Sequence, residues 1–448
     1  MINYQNIVEK YKKQAMETLK GFVAIDSVLD ESTKDKENPF GKGVSKALNY
    51  IADIARKDGF QVTNYNNMIV EIIIGNGPKN ITIMAHADVV PAGTGWNQNP
   101  FEVVSKDGVL YGRGVADDKG PLVACYYGLV ALKENGLLGD YQVRFLVGGN
   151  EESGSLGMIY YFEELKKPQP TLGFSPDADY PLIFAEKGII GFEVKKELTI
   201  RGVKYIRGGV AHNAVIEKCD VALFDPNPFA KYLKEKGIKF TQENDVISFI
   251  GKAAHGATPE QGINAGIIAL KEVGEYFDSY ELRLLVKRYS DLQGKGINAE
   301  GDSPEMGRNS VNVGIINFNG KEISMVVNFR YVDTCDKEKL IENIRNANKP
   351  FEVILHGDSP LLYYPKDSVL VSTLLKVYQE EYNDYQTPPL AIGGGTYAKE
   401  ADNTIAFGMQ LPDWDAKMHS PGEQLREKDF YKGMEVYAHA IIELGKKL

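Results

Sequence analysis

Ile83-Met84-Ala85-His86-Ala87-Asp88-Val89-Val90-Pro91 begins as a buried-strand pattern and ends on a histidine and an aspartate one residue apart. Open α/β sheets place their ligand crevice at the carboxyl ends of strands, which is where this pair falls. One residue of spacing sends both side chains to the same face of an extended chain. His86 can then hold a metal while Asp88 orients its other ring nitrogen.

Working outward, Met68 to Ile74 and Tyr141 to Val147 are further short apolar runs, rich in β-branched residues and read as strands of a covered sheet. Phe101 to Ser105 and Val109 to Tyr111 flank Asp107-Gly108, a dipeptide suited to the positive φ angles of a hairpin turn. Helical spacing runs through Ile7, Tyr11, Ala15 and Leu19, through Val44 to Ala55 and through Leu122 to Leu132. Strands thus alternate with helices. After about residue 188 the pattern mixes strands such as Val246 to Ile250 and Ile323 to Val327 with helices such as Ile263 to Phe277, and helical spacing returns at Val369 to Tyr382 and Lys428 to Leu444. The expectation is an α/β protein: a mixed, mostly parallel-sheet domain built from residues 1–187 and 357–448, interrupted by an inserted α+β domain at 188–356.

A chain of 448 residues with 43% hydrophobic and 25% charged content has material for two cores. Its net charge of -10 argues against nucleic-acid and anionic-membrane partners. Cys125, Cys219 and Cys335 are few and scattered, so no disulfide framework is expected. With no apolar run long enough to span a bilayer and no leader-like N-terminus, the expected location is cytoplasmic.

Three more segments carry acidic groups at the edges of elements. Gly112-Arg-Gly-Val-Ala-Asp117-Asp118-Lys-Gly120 places two aspartates before a helix, where capping accounts for one more easily than for both. Glu151-Glu152 follows a strand, and in isolation would read as a solvated acidic face. Asp177 follows the apolar Leu172 to Phe174, and His419 lies in a loop marked by Pro421-Gly422. His86, Asp117, Glu152, Asp177 and His419 make two imidazoles and three carboxylates, enough to hold two divalent ions that share one carboxylate. Zinc suits this set, and manganese or cobalt would be accepted.

In this order along the chain, the motifs resemble the co-catalytic di-zinc metallopeptidases of the aminoacylase and carboxypeptidase type, and among them the PepV-type dipeptidases. Gly251-Lys-Ala-Ala-His255-Gly-Ala-Thr-Pro, Asn328-Phe-Arg330-Tyr and Gly393-Gly394-Gly395-Thr-Tyr-Ala398 extend the resemblance over the whole chain. It implies that Asp117 bridges the two ions, with His86 and Asp177 completing one and Glu152 and His419 the other. It also implies a cis peptide at Asp117-Asp118, Glu151 as general base and His255 as a donor to the reacting carbonyl oxygen. Arg330 would clamp the substrate carboxylate, with Asn213 and the backbone at Gly394 and Gly395 beside it. His212, His356 and His439 are read as structural.

The expected function is hydrolysis of dipeptides, or short peptides with free termini, by a monomer whose inserted domain closes over the substrate as a lid. Deacylation of N-acyl amino acids on the same site is the alternative chemistry. A catalytically silent metal-dependent peptide-binding protein is the non-enzymatic one. It would be expected to lack Glu151 or one of the five ligands.

Overall fold

A computed structural model describes residues 2–448, which divide into two compact units. The first comprises residues 2–185, Tyr364–Leu390 and Gly395–Leu448, and the second Glu186–Tyr363 with Ala391–Gly394.

The first unit is organised by a mixed sheet in which Gln61–Tyr65, Ile69–Ile74, Gln142–Gly148, Asn80–His86, Leu172–Ser175 and Thr404–Ala406 lie side by side in that order. Its centre is parallel: Asn80–His86 pairs with Gln142–Gly148 on one side and Leu172–Ser175 on the other, and Leu172–Ser175 pairs with Thr404–Ala406. The outer pairings are antiparallel. Every residue of Asn80–His86 is buried, which is why that strand reads as a continuous apolar run instead of an alternating one. Helix Lys119–Glu134 is buried without a break from Lys119 to Leu132 and packs on helix Glu427–Gly445. Gly128 permits that close approach, because a Cβ there would lie 2.7 Å from the Met434 carbonyl oxygen.

Val104–Lys106 and Val109–Tyr111 form the expected hairpin, with Asp107 and Gly108 at φ 54° and 76°. A third strand from the C-terminal region, Gln424–Arg426, pairs with Val109–Tyr111. This pairing carries the segment containing His419 to the turn that follows residue 111. The apolar spacing from Ile7 to Leu19 belongs to two helices, Tyr4–Glu9 and Lys12–Val23, with the chain turning between them.

The second unit is the α+β insertion. Its eight-stranded antiparallel sheet runs Phe240–Glu243, Val246–Ile250, Lys218–Leu223, Val203–Gly208, Ser310–Phe318, Glu322–Tyr331, Gly188–Glu197, Glu352–Ser359. Burial alternates along Gly188–Glu197, so one face of the sheet is packed and the other is open. The packed face shares a core with helices Asn227–Glu235, Ala265–Tyr276, Tyr280–Tyr289 and Lys337–Ala347, through residues such as Phe229, Leu270, Leu285 and Ile344. This unit runs beyond residue 356 because Glu352–Ser359 pairs with Gly188–Glu197 along its length. Among the described residues no helix is long and apolar enough to cross a membrane.

Candidate metal centre

His86 closes its strand fully buried, and its Nε2 lies 3.0 Å from Asp117 Oδ1 and 3.5 Å from Asp177 Oδ2. The other oxygen of Asp117, Oδ2, lies 2.8 Å from Nε2 of His419, which is also 3.2 Å from Glu152 Oε2. Asp117 thus turns one oxygen to each imidazole. The five side chains form two triads, His86-Asp117-Asp177 and Asp117-Glu152-His419, and within each triad the donor atoms lie within 4.8 Å of one another.

The chemistry of this set fits divalent cations. His86 Nδ1 is 3.0 Å from the backbone carbonyl oxygen of Asp88, an acceptor that places the ring proton on Nδ1 and the lone pair on Nε2. A lone pair facing a carboxylate oxygen at 3.0 Å is repulsive unless a proton or a cation lies between them. Burial opposes a charged His86, yet Asp117, Asp177 and Asp88 together hold its pKa well above the ordinary value. His419, bonded to Asp117 and Glu152, is raised to about 11. Burial pushes the carboxyls of Glu152 and Asp177 up, and the Asp117 charge adds to this. The cluster therefore demands positive charge, which metal cations would supply in place of the protons.

Around the donor side chains, other groups fix the backbone. The Asp88 carboxylate accepts the Glu151 amide at 3.1 Å and the Glu152 amide at 3.2 Å, with Oδ1 3.4 Å from His86 Nδ1. Asp88 therefore ties the end of one strand to the loop after its neighbour, a role broader than orienting the imidazole. Glu151 has no ion-pair partner among the described residues, and burial raises its carboxyl well above the usual range. Asp118 begins helix Lys119–Glu134 without capping it; its Oδ2 accepts the His86 amide at 3.0 Å instead. The Asp117-Asp118 peptide is cis. Tyr397, in the segment after the glycine run, sets its ring edge-on to His86 with centroids 6.1 Å apart. Gly148 leaves room for it, since a Cβ there would lie 2.2 Å from the Tyr397 hydroxyl oxygen.

Spacing along the chain draws attention to Asp118 beside Asp117 but does not single out Tyr397 or Glu423. Glu423 is fully buried, and its Oε1 receives the amides of Gly114, Ala116 and Asp117. The one available signal was Glu423's place in the same short loop as His419.

The remaining candidates, apart from Gly395, lie in the second unit. Asn213 and His255 lie on adjacent strand-like segments: the Gly256 amide donates to the Asn213 carbonyl oxygen at 2.7 Å, and Ala214 bridges to His255. Both side chains are exposed. Arg330 is buried; its Nε donates to Asn328 Oδ1 at 2.9 Å and its Nη1 to the carbonyl oxygen of Gly393, next to Gly394. Desolvation lowers the Arg330 pKa to about 10. His212, read from sequence as structural, lies close enough to Arg330 for that cation to add to the effect of burial in lowering its pKa. Gly395 is exposed and belongs to the first unit.

Paired imidazoles and carboxylates at the ends of parallel strands, in an α/β unit interrupted by an α+β insertion, define a hydrolase of the metallopeptidase class. The chain belongs to peptidase family M20/M25/M40, which it matches over residues 82–443. A Staphylococcus aureus (strain USA300) protein named "Putative dipeptidase" is 32% identical over 466 aligned positions, covering 98% of both chains. The fold is shared with the di-peptidase Dug1p from Saccharomyces cerevisiae, at TM-score 0.60 and 16% identity over 99% of this chain and 98% of that one. It is shared equally with the M20 family metallo-carboxypeptidase Sso-CP2 from Sulfolobus solfataricus, at TM-score 0.60 and 16% identity over 97% and 100%.

Proposed function

We propose that this protein is a dipeptidase that works with two divalent cations, zinc by preference. The observation that carries the reading is Asp117 presenting one oxygen to each of two donor triads, with Glu151 beside them. The relative named a dipeptidase, similar along nearly the whole chain, supports the substrate class.

His86, Asp117 and Asp177 would hold one cation, and Asp117, Glu152 and His419 the other. Cations held there would acidify a water molecule and polarise the scissile carbonyl. Glu151 takes the water proton and returns it to the departing amine, a task open to it because its neighbour Glu152 is committed as a ligand. Asp88 holds both glutamates by their amides, so base and ligand keep a fixed relation. His255 would donate a hydrogen bond to the developing oxyanion. Arg330, with two of its nitrogens already fixed by Asn328 and Gly393, offers Nη2 to the substrate carboxylate, with Asn213 and the Gly394-Gly395 backbone as helpers.

The test compares turnover of a panel of dipeptides with that of N-acetyl amino acids, before and after chelation and after adding back zinc, manganese or cobalt. Dipeptide cleavage that is lost on chelation and restored by metal is the expected result. Full activity of the chelated protein, or cleavage of acetyl-amino acids alone, overturns the reading.

A further inference from the structure

We infer that Glu423 is a positioning residue for the Asp117 carboxylate, locking the turn before it in the conformation that turns one oxygen to each imidazole, as a ligand shared by two cations would have to. The inference rests on the two-cation reading above.

The hydrogen bonds of Glu423 are directed at one short segment, residues 112–117. Oε1 accepts the amides of Gly114 at 2.9 Å, Ala116 at 3.0 Å and Asp117 at 3.2 Å. Oε2 pairs with Arg113 Nη1 at 2.6 Å, and the Glu423 carbonyl oxygen accepts the Gly112 amide at 3.2 Å. Both charged partners are out of solvent, at 0% and 1% exposure. Three amides converging on one oxygen form the kind of nest that commonly binds an exogenous anion. Here the chain supplies the anion itself.

The rest of the turn is equally constrained. Gln410 Nε2 donates to the Ala116 carbonyl oxygen at 3.2 Å, Gly114 sits at φ 90°, and a Cβ on Gly120 would lie 1.9 Å from the Val115 carbonyl oxygen. The pairing of Gln424–Arg426 with Val109–Tyr111 anchors Glu423 from the other side.

A further carboxylate near Asp117 is electrostatically costly, because it adds negative charge to a cluster already rich in it. Removing Glu423 and Arg113 together for apolar packing would avoid that cost, so the pair has a reason to be there beyond packing. That reason is geometric. Asp117 can face both imidazoles only if its Cα is held still, and the amide bonded to Glu423 is its own. Because Glu423 lies four residues after His419, the segment that supplies one ligand also aims another.

The experiment titrates the full-length, metal-free protein with cobalt(II), following visible absorption and equilibrium dialysis. The wild type is expected to take up two ions. Glu423→Gln, which keeps the shape and removes the charge, is expected to bind both ions 10- to 100-fold more weakly, roughly the loss seen when groups behind metal ligands are removed. Its far-ultraviolet circular dichroism should stay unchanged. Because Glu423→Gln leaves Arg113 buried without its partner, a double variant, Arg113→Met with Glu423→Gln, serves where the single one does not fold, and it should show the same weakening. Wild-type stoichiometry and affinity in a folded variant overturn the inference, even if its unfolding temperature falls. A wild type that binds no cobalt defeats the two-cation reading itself, and this inference with it.

Discussion

Replacing Asp88 by asparagine tests whether catalysis depends on how the Glu151-Glu152 backbone is held. The carboxylate accepts two amides, at 3.1 and 3.2 Å, and is itself only 2% exposed. An asparagine oxygen can keep one of these bonds, while its NH2 group meets the other amide donor to donor. Leaving that buried donor unmet costs about 1–3 kcal/mol, and the surviving bond, no longer charge-assisted, weakens by about 1 kcal/mol. The total of about 2–4 kcal/mol corresponds to a roughly 30- to 900-fold fall in kcat/KM if it is expressed in the placement of Glu151. The assay is dipeptide hydrolysis by Asp88→Asn with metal content measured in parallel, repeated in a Glu151→Gln background. If Asp88 acts through Glu151, the second substitution adds little to the first. Activity within threefold of wild type at equal metal content refutes the argument. So does full additivity of the two losses.

Arg330→Met removes a charge-assisted bond to the substrate carboxylate worth about 1.5–3 kcal/mol, so KM for dipeptides should rise roughly 10- to 150-fold with kcat little changed. An unchanged KM removes Arg330 from the substrate site. Glu400 titrates near 7 because burial disfavours its charged form, against an ordinary value of 4.5. Between those values the folded chain keeps a proton that the unfolded chain has released, so stability declines as pH rises from about 4.5 to about 7 and stays reduced above that. Glu400→Gln is therefore expected to unfold at higher urea concentration than wild type at pH 8, by up to about 2–3 kcal/mol, and at nearly the same concentration at pH 4.5. Equal midpoints at pH 8 would falsify the assignment.

Three of the five donor side chains were legible because they lie at or just beyond an apolar run: His86 after Ile83-Met-Ala, Asp177 after Leu172 to Phe174, and Glu152 after the strand ending at Gly148. The Asp107-Gly108 turn was legible for a similar local reason. The long-range bonds that hold the donors were not. Asp88 reaches an amide 63 positions away and Glu423 one 306 positions away, and contacts between such distant segments leave no spacing in the chain. Asp118 looks like a helix cap by position, but its carboxylate bonds a strand amide. The limit of the inserted unit was obscured by a break in register between Leu355 and Asp358, where Gly357 takes φ 76° and the strand's alternation is lost. Tertiary pairing alone carries that strand on to Ser359.

The order in which the chain is made bears on when it can act. Strand Thr404–Ala406 completes its pairing with Leu172–Ser175 only after the whole insertion has been synthesised, and His419 follows later still. A nascent chain on the ribosome that ends before His419 lacks part of the donor set however well its early strands have folded. The full donor set thus cannot precede synthesis of His419, and chains released before it carry at most one of the two triads.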